Sequence, residues 1–279
     1  MQLQSTGNSY SVGAKTTERS LRKTSSDLKK ILERLATAQR INRASDDAAG
    51  LGVSEVMRSN IRGFKMASQN INDAMSALDI ADGTANEVNG ILQRQRELAV
   101  QSKNDTLTNS NRQALDKEYQ QLNKELDRLA EASQFNRQNL TNGTGLGSGT
   151  AQIQVGSNAG DQITLPSVDF TTIATGLNGT SIATASSAGS ALSYLDTALK
   201  SIGSQRSVMG STINRLESTV NNLTVAAINI QAAESVIRDE DMADGVVELT
   251  RTQLLLEGNI AAFSRFNEIS QSHIMGLLG

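Results

Sequence analysis

FKMASQNINDAMSALDIADGTANEVNGIL, residues 64–92, carries Phe64, Ala67, Ile71, Ala74, Leu78, Ala81, Ala85, Val88 and Leu92 at steps of three and four. That spacing draws one stripe along one face of an α-helix. The stripe continues through Gln95 and Ala99. Strict alternation of three and four is a heptad seam, so the helix packs side by side with another, as in a coiled coil. A second seam runs Leu192, Leu195, Leu199, Ile202, Arg206, Met209, Ile213, Leu216, Val220, Leu223, Ala227, Ile230, Glu234 and Ile237. At 1.5 Å per residue it predicts a helix roughly 70 Å long. Leu115, Tyr119, Leu122, Leu126 and Leu129 mark a shorter one between them.

Both ends of the chain carry the same spacing. The first seam reads Leu3, Gly7, Tyr10, Ala14, Thr17, Leu21, Thr24, Leu28, Ile31, Leu35. The last reads Met242, Val246, Leu249, Gln253, Leu256, Ile260, Phe263, Asn267, Ser270, Ile274, Leu277. The first seam is weak through Thr24, with Gly, Ala or Thr at four of its seven positions there. Burying a Leu-sized side chain yields about 1.5–3 kcal/mol, whereas ordering each residue costs about 1–2 kcal/mol. Such a helix needs partners beyond its own chain.

Composition agrees with long helices. Pro166 is the single proline in 279 residues, where average usage predicts about 14. Aromatics are 3% and tryptophan is absent, too few for a thick globular core. A net charge of -3 offers nucleic acid no basic footprint. The absence of cysteine excludes disulfides and thiolate metal sites. No apolar run is long enough to span a bilayer. MQLQSTGNSYSV lacks the apolar core of a secretory signal, which alone reads as cytoplasmic and is compatible with export without a cleaved signal.

Only the middle differs. LTNGTGLGSGT is a Gly/Ser/Thr loop, and AQIQVGSNAGDQITLP alternates like two strands around Asn158-Ala159-Gly160-Asp161, a hairpin signal. TIATGLNGTSIATASSAGS is small and polar and reads as an exposed loop. The expected fold is mainly α: a long antiparallel helical bundle or coiled coil with one small β-hairpin.

Candidate chemistry is sparse. In RINRASDDAAGL, residues 41–52, Ser45 is placed to cap the next helix, with Asp46 and Asp47 in its first turn, where carboxylates complement the dipole. Consecutive helical residues do not face each other, so the pair is poorly arranged as a catalytic acid dyad. RDEDMAD contains Asp239, Glu240, Asp241 and Asp244 where the second seam ends. Hard cations take several oxygens, but the cluster lacks the glycine and spacing of a calcium loop, and early-turn acids account for it. His273 is the only histidine, so no His-based triad or multi-His zinc site can be built. GTGLGSG neither follows a clear strand nor opens a helix, which argues against a phosphate loop. No cofactor or metal is expected, and nothing argues for an enzyme.

Several long stretches resemble bacterial flagellins. ERLATAQRINRASDDAAGLGVSEVMRSNIRGF is similar to the family's N-terminal signature, and ILQRQRELAVQS, ELDRLAEASQFNRQNL and IQVGSNAGDQITL resemble the segments that follow. RDEDMADGVVELTRTQLLLEGN is similar to the signature entering the last helix. The resemblance covers roughly residues 20–165 and 190–260 in family order. It implies an inner coiled-coil layer made of residues 1–40 and 239–279. It also implies an outer helical bundle, 41–238, with the hairpin at about 151–166 and a short variable segment at about 140–190. The outer variable domains of the family would be missing. Arg40, Arg43, Ser45, Asp46, Asp47, Asp239, Glu240 and Asp241 would lie where the layers connect, with Arg40 and Arg43 expected to meet Asp239 or Glu240. MQLQSTGNSYSV and FSRFNEISQSHIMGLLG depart from the family's usual ends.

The implied function is a structural subunit that self-assembles into the extracellular flagellar filament for motility. The alternative is a hook–filament junction protein of the same export class, with an enzyme using the acidic clusters a more distant class. Implied partners are copies of itself, a secretion chaperone, the export apparatus, and the filament cap and hook-junction proteins. The animal Toll-like receptor for flagellin would contact Gln93, Arg94, Glu97, Leu98, Gln101 and Glu118. Leu256, Ile260 and Phe263 are the expected chaperone and assembly face.

Overall fold

The structure, a computed structural model, describes residues 2–143 and 151–278, with side chains except at 2–12, 14, 270 and 273–278. Most of the glycine-rich loop, the side chain of His273 and the outermost seam positions thus lie outside the described residues. The elements are α1 (Gln2–Thr37), α2 (Ala48–Ser102), α3 (Asn109–Ala132), β1 (Gln134–Phe135), β2 (Gln138–Asn139), β3 (Gln152–Gln154), β4 (Gln162–Thr164), α4 (Thr171–Leu177), α5 (Ala185–Arg238) and α6 (Met242–Leu278). Residues 1–59 with 229–279 form one compact unit, and residues 60–228 the other. The division therefore falls inside α2 and α5.

In the unit of residues 60–228 the seam of α2 is buried from Ala67 to Ala99. Its stripe meets Leu195, Ile202, Met209 and Leu216 of α5 and Tyr119 and Leu126 of α3 in one core. The directions of α2 and α5 are opposed: Arg206 pairs with Asp82 at 2.8 Å and Arg96 with Asp196 at 2.8 Å. Arg206 stands in the apolar seam because its guanidinium donates from both Nε and Nη2 to that one carboxylate. Gln95 sits in the α2 seam for a similar reason, donating to Asn123 of α3 at 2.6 Å.

The expected hairpin is β3–β4, in register Gln152↔Thr164, Ile153↔Ile163, Gln154↔Gln162. Asp161 closes its loop by accepting from the backbone and side-chain nitrogens of Asn158. A second, smaller ladder, β1–β2, turns through Asn136 and Arg137, both at positive φ, the backbone of a type I′ turn. The stretch 172–190 is not an exposed loop. It forms α4 and the start of α5, and Ile173, Leu177 and Ile182 are buried. Small residues between them hid three anchors from a composition-based reading.

In the other unit α1 and α6 run antiparallel. Thr17, Leu21, Thr24, Leu28, Ile31 and Leu35 turn inward as expected. On α6 the inward positions are Gly245, Leu249, Thr252, Leu256, Asn259, Phe263 and Phe266. Val246, Gln253, Ile260 and Asn267, expected in the seam, give way to their small or polar neighbours. The reason is close approach: a Cβ on Gly245 would lie 2.8 Å from Leu35, one on Gly13 would lie 3.0 Å from Phe266, and Asn259 donates to Thr24 at 3.0 Å. Each terminal helix thus has a partner within the chain. Ile31 is nevertheless the one large apolar residue of this pair to be fully buried among the described residues.

Candidate functional site

The two chain breaks of the terminal unit lie side by side at Gln39 and Asp239. α1 ends with Ala38 at φ 54, and the Gln39 N–H donates to Arg34 O at 3.2 Å, the closing bond of a Schellman cap. Asp46 Oδ2 then accepts from Arg43 N at 3.0 Å and Asn42 N at 3.2 Å. The Arg43 amide and, after it, that of Asn42 hold this carboxyl below its ordinary pKa despite some desolvation. Asp47 Oδ1 accepts from Gly50 N at 2.9 Å, and Leu51 N donates to Asp47 O. Asp47, not Ser45, is therefore the N-cap of α2. Ser45 is exposed in the preceding turn, and the carboxylates act one on each side of the helix start. Gly50 suits this close approach, since a Cβ would lie 2.4 Å from Asp47 Oδ2 and 2.9 Å from Ile41 Cδ1, and both side-chain ends would have to shift.

The second break repeats the device. Asp241 Oδ1 accepts from Ala243 N at 2.9 Å, Gly245 N donates to Asp241 O, and α6 starts at Met242. Asp239 takes the Ser235 hydroxyl at 2.6 Å. Among the described residues no His, Cys, Asp and Glu group is placed to hold a metal ion.

Gln39 and Asp239 form an antiparallel bridge between the breaks. The arginines cross differently from expectation: Arg40 Nη2 donates to Ile237 O at 2.6 Å, and Arg43 pairs with Glu33 at 2.8 Å. Neither carboxylate, Asp239 or Glu240, receives them: Arg40 is taken by a backbone carbonyl of α5 and Arg43 by a carboxylate of α1. The ion pair at the junction is Arg238 with Glu55 at 2.8 Å, and that guanidinium holds the Glu55 carboxyl below its ordinary pKa. Arg238 stood unread inside an acidic motif, and no local pattern pairs it with a partner 183 positions away.

Replacing Asp46 and Asp47 together by alanine removes the α2 cap, about 1 kcal/mol, and the carboxylate that holds the preceding turn. Exchange at the Gly50 and Leu51 amides is expected to accelerate while the melting of residues 60–228 stays unchanged. Loss of helicity across that second unit would make these acids core elements instead.

On the face of α2 and α3, Arg94 donates to Glu118 at 3.1 and 2.8 Å and to Glu97 at 3.0 Å. Gln93, Arg94, Glu97, Gln101 and Glu118 are exposed. Leu98 is not part of that surface: at 1% exposure it belongs to the core, since its position falls one residue before the seam's Ala99. On α6, Leu256 and Phe263 are half-buried on the α1-facing seam, and Ile260 is exposed beside it.

The profile of the bacterial flagellin N-terminal helical region matches residues 9–145, and that of the C-terminal helical region matches residues 192–278. The chain belongs to the bacterial flagellin family. A flagellin of Halalkalibacterium halodurans is 42% identical over 87% of this chain and 89% of its own length. Flagellin FlaB1 of Treponema pallidum is 37% identical over 94% of this chain and 96% of its own. The crystal structure of Bacillus cereus flagellin matches with a TM-score of 0.50 at 34% identity, covering 60% of this chain and 94% of that one. A putative flagellar hook-associated protein from Vibrio parahaemolyticus shares the fold, with a TM-score of 0.58 at 13% identity, over 69% of this chain and 99% of that one. This is a flagellin of short form, with α4 and two small hairpins between its helical halves, and its family is structural. No described helix is long and apolar enough to cross a membrane.

Proposed function

We propose that this flagellin polymerises into the flagellar filament through its terminal helices. The observation that carries the reading is the outward face of α6. Val246, Val247, Leu254 and Leu255, with Thr250 and Arg251, line a shallow apolar groove, and all four large apolar residues are exposed. A face of this kind makes heterologous contacts between subunits, and such contacts grow a helical fibre when their rotation does not close. Residues 1–40 and 239–279 form the inner layer in this reading, and 41–238 the outer. Negative-stain microscopy after salt-induced assembly tests it: long fibres are expected, and short collars would favour a hook–filament junction protein.

Export proceeds through the flagellar export apparatus, and growth depends on the filament cap and hook-junction proteins. The secretion chaperone takes α6 on the Leu256 and Phe263 side. That side is the α1-facing seam, so chaperone and α1 compete for it. Substituting Leu256→Asp with Phe263→Asp is expected to abolish co-purification with the chaperone, and undiminished binding would refute this face. Recognition by the animal Toll-like receptor uses the exposed Arg94, Glu97 and Glu118 cluster with Gln93 and Gln101. Packing between subunits is the primary role of that surface.

A further inference from the structure

The α1–α6 seam specifies its register only in part. Leu35 over Gly245 and Phe266 over Gly13 mark the seated alignment, but the positions between them include Thr17, Thr24, Thr252 and Asn259, and small or polar side chains offer few of the knobs that fix one axial alignment. The Asn259–Thr24 hydrogen bond reports the alignment but lies far along both helices from the breaks.

Alignment is instead available at the junction. Gln39 and Asp239 pair with Arg40 N donating to Arg238 O at 2.7 Å and Glu240 N to Ala38 O at 3.1 Å. One guanidinium ties this bridge to a third segment. Arg238 Nε donates to Gln39 Oε1 at 3.2 Å and Nη1 to Glu55 Oε1 at 2.8 Å. Its side chain is only 11% exposed, so both bonds are shielded on the arginine's side.

We propose that Arg238 is a positioning residue that sets the register of α1 against α6. It holds the end of α1, the end of α5 and the start of α2 at one level. α1 then departs from a fixed point, and α6 starts from the adjoining cap at Asp241. The planar fork of arginine is needed, because two acceptors on different segments must be met at set angles, which a lysine ammonium does not impose.

The test uses the absence of native cysteine. Thr24→Cys with Asn259→Cys reports the register as a disulfide in the full-length chain, formed under mild oxidation in dilute solution and again after salt-induced assembly. The pair is expected to cross-link in an otherwise unchanged chain. Adding Arg238→Ala or Arg238→Lys should remove that cross-link, and Glu55→Gln, which keeps an acceptor, should restore most of it relative to Glu55→Ala. Melting of residues 60–228 should not change in any of them. An unaltered cross-link in both Arg238 variants overturns the proposal, as does a parallel fall in the melting of residues 60–228. The dilute-solution arm does not depend on the filament reading, and micrographs of the salt-treated samples judge that reading separately.

Discussion

Leu254→Asp combined with Leu255→Asp is expected to abolish filament growth while leaving the subunit folded. In the isolated chain these side chains are 64% and 53% exposed, so the substitutions remove little burial that folding depends on. In a polymer, burying the exposed part of each leucine contributes about 1–2 kcal/mol. An unpaired carboxylate buried in its place adds a penalty of several kcal/mol. The two effects have the same sign and recur at every subunit, so no increase in concentration within a practical range compensates. Pelleting and electron microscopy measure the loss, and circular dichroism melting measures the retained fold. Filaments of ordinary length would show that this face of α6 is not an interface.

Tyr119→Ala is expected to be the most damaging single change in the unit of residues 60–228. The ring has no exposed surface, and truncating a large buried aromatic costs about 3–5 kcal/mol. Its hydroxyl meets Thr180 at 2.8 Å, on the segment that carries Leu177 and Ile182 into the core. Removing the ring therefore opens a cavity and frees the strap that covers it. Tyr119→Phe separates these contributions. Thr180 retains Leu177 O as an acceptor at 2.7 Å, so only one ordinary hydrogen bond is lost, about 0.5–1.5 kcal/mol. Thermal unfolding of the two variants should differ widely. Similar melting would mean that the hydroxyl, not the ring, anchors the strap.

How much of this was legible in the sequence depended on which physical quantity was being read. The α2 seam follows apolar periodicity, and every position from Ala67 to Ala99 is buried because burial there is what stabilises the helix pair. On α6 the same method followed Val246 and Ile260, while the structure turns Gly245 and Asn259 inward. Close approach selected those positions, and small size carries no hydrophobic signal. Ser45 and Asp47 are equally good cap residues two positions apart, a spacing within which helix boundaries fray. Asp47 satisfies the same backbone groups by the same chemistry. Ile173, Leu177 and Ile182 leave no signal in the sequence, because single anchors among Thr, Ala and Gly make no periodic pattern. Arg238 with Glu55 lay beyond any local reading, since only the fold brings the two breaks together.

The alanine at the end of α1 has a mechanical consequence. Held at φ 54, Ala38 carries a left-handed strain of roughly 1–2 kcal/mol that a glycine would relieve. Glycine would also admit a wider range of exit angles, turning the corner into a universal joint. With alanine the backbone has one narrow well to occupy, flanked by a closed Schellman cap on one side and the bridge to Asp239 on the other. The corner behaves as a stiff elbow, and bending or twisting load applied to α1 passes into the segment at Asp239 instead of being absorbed as slack.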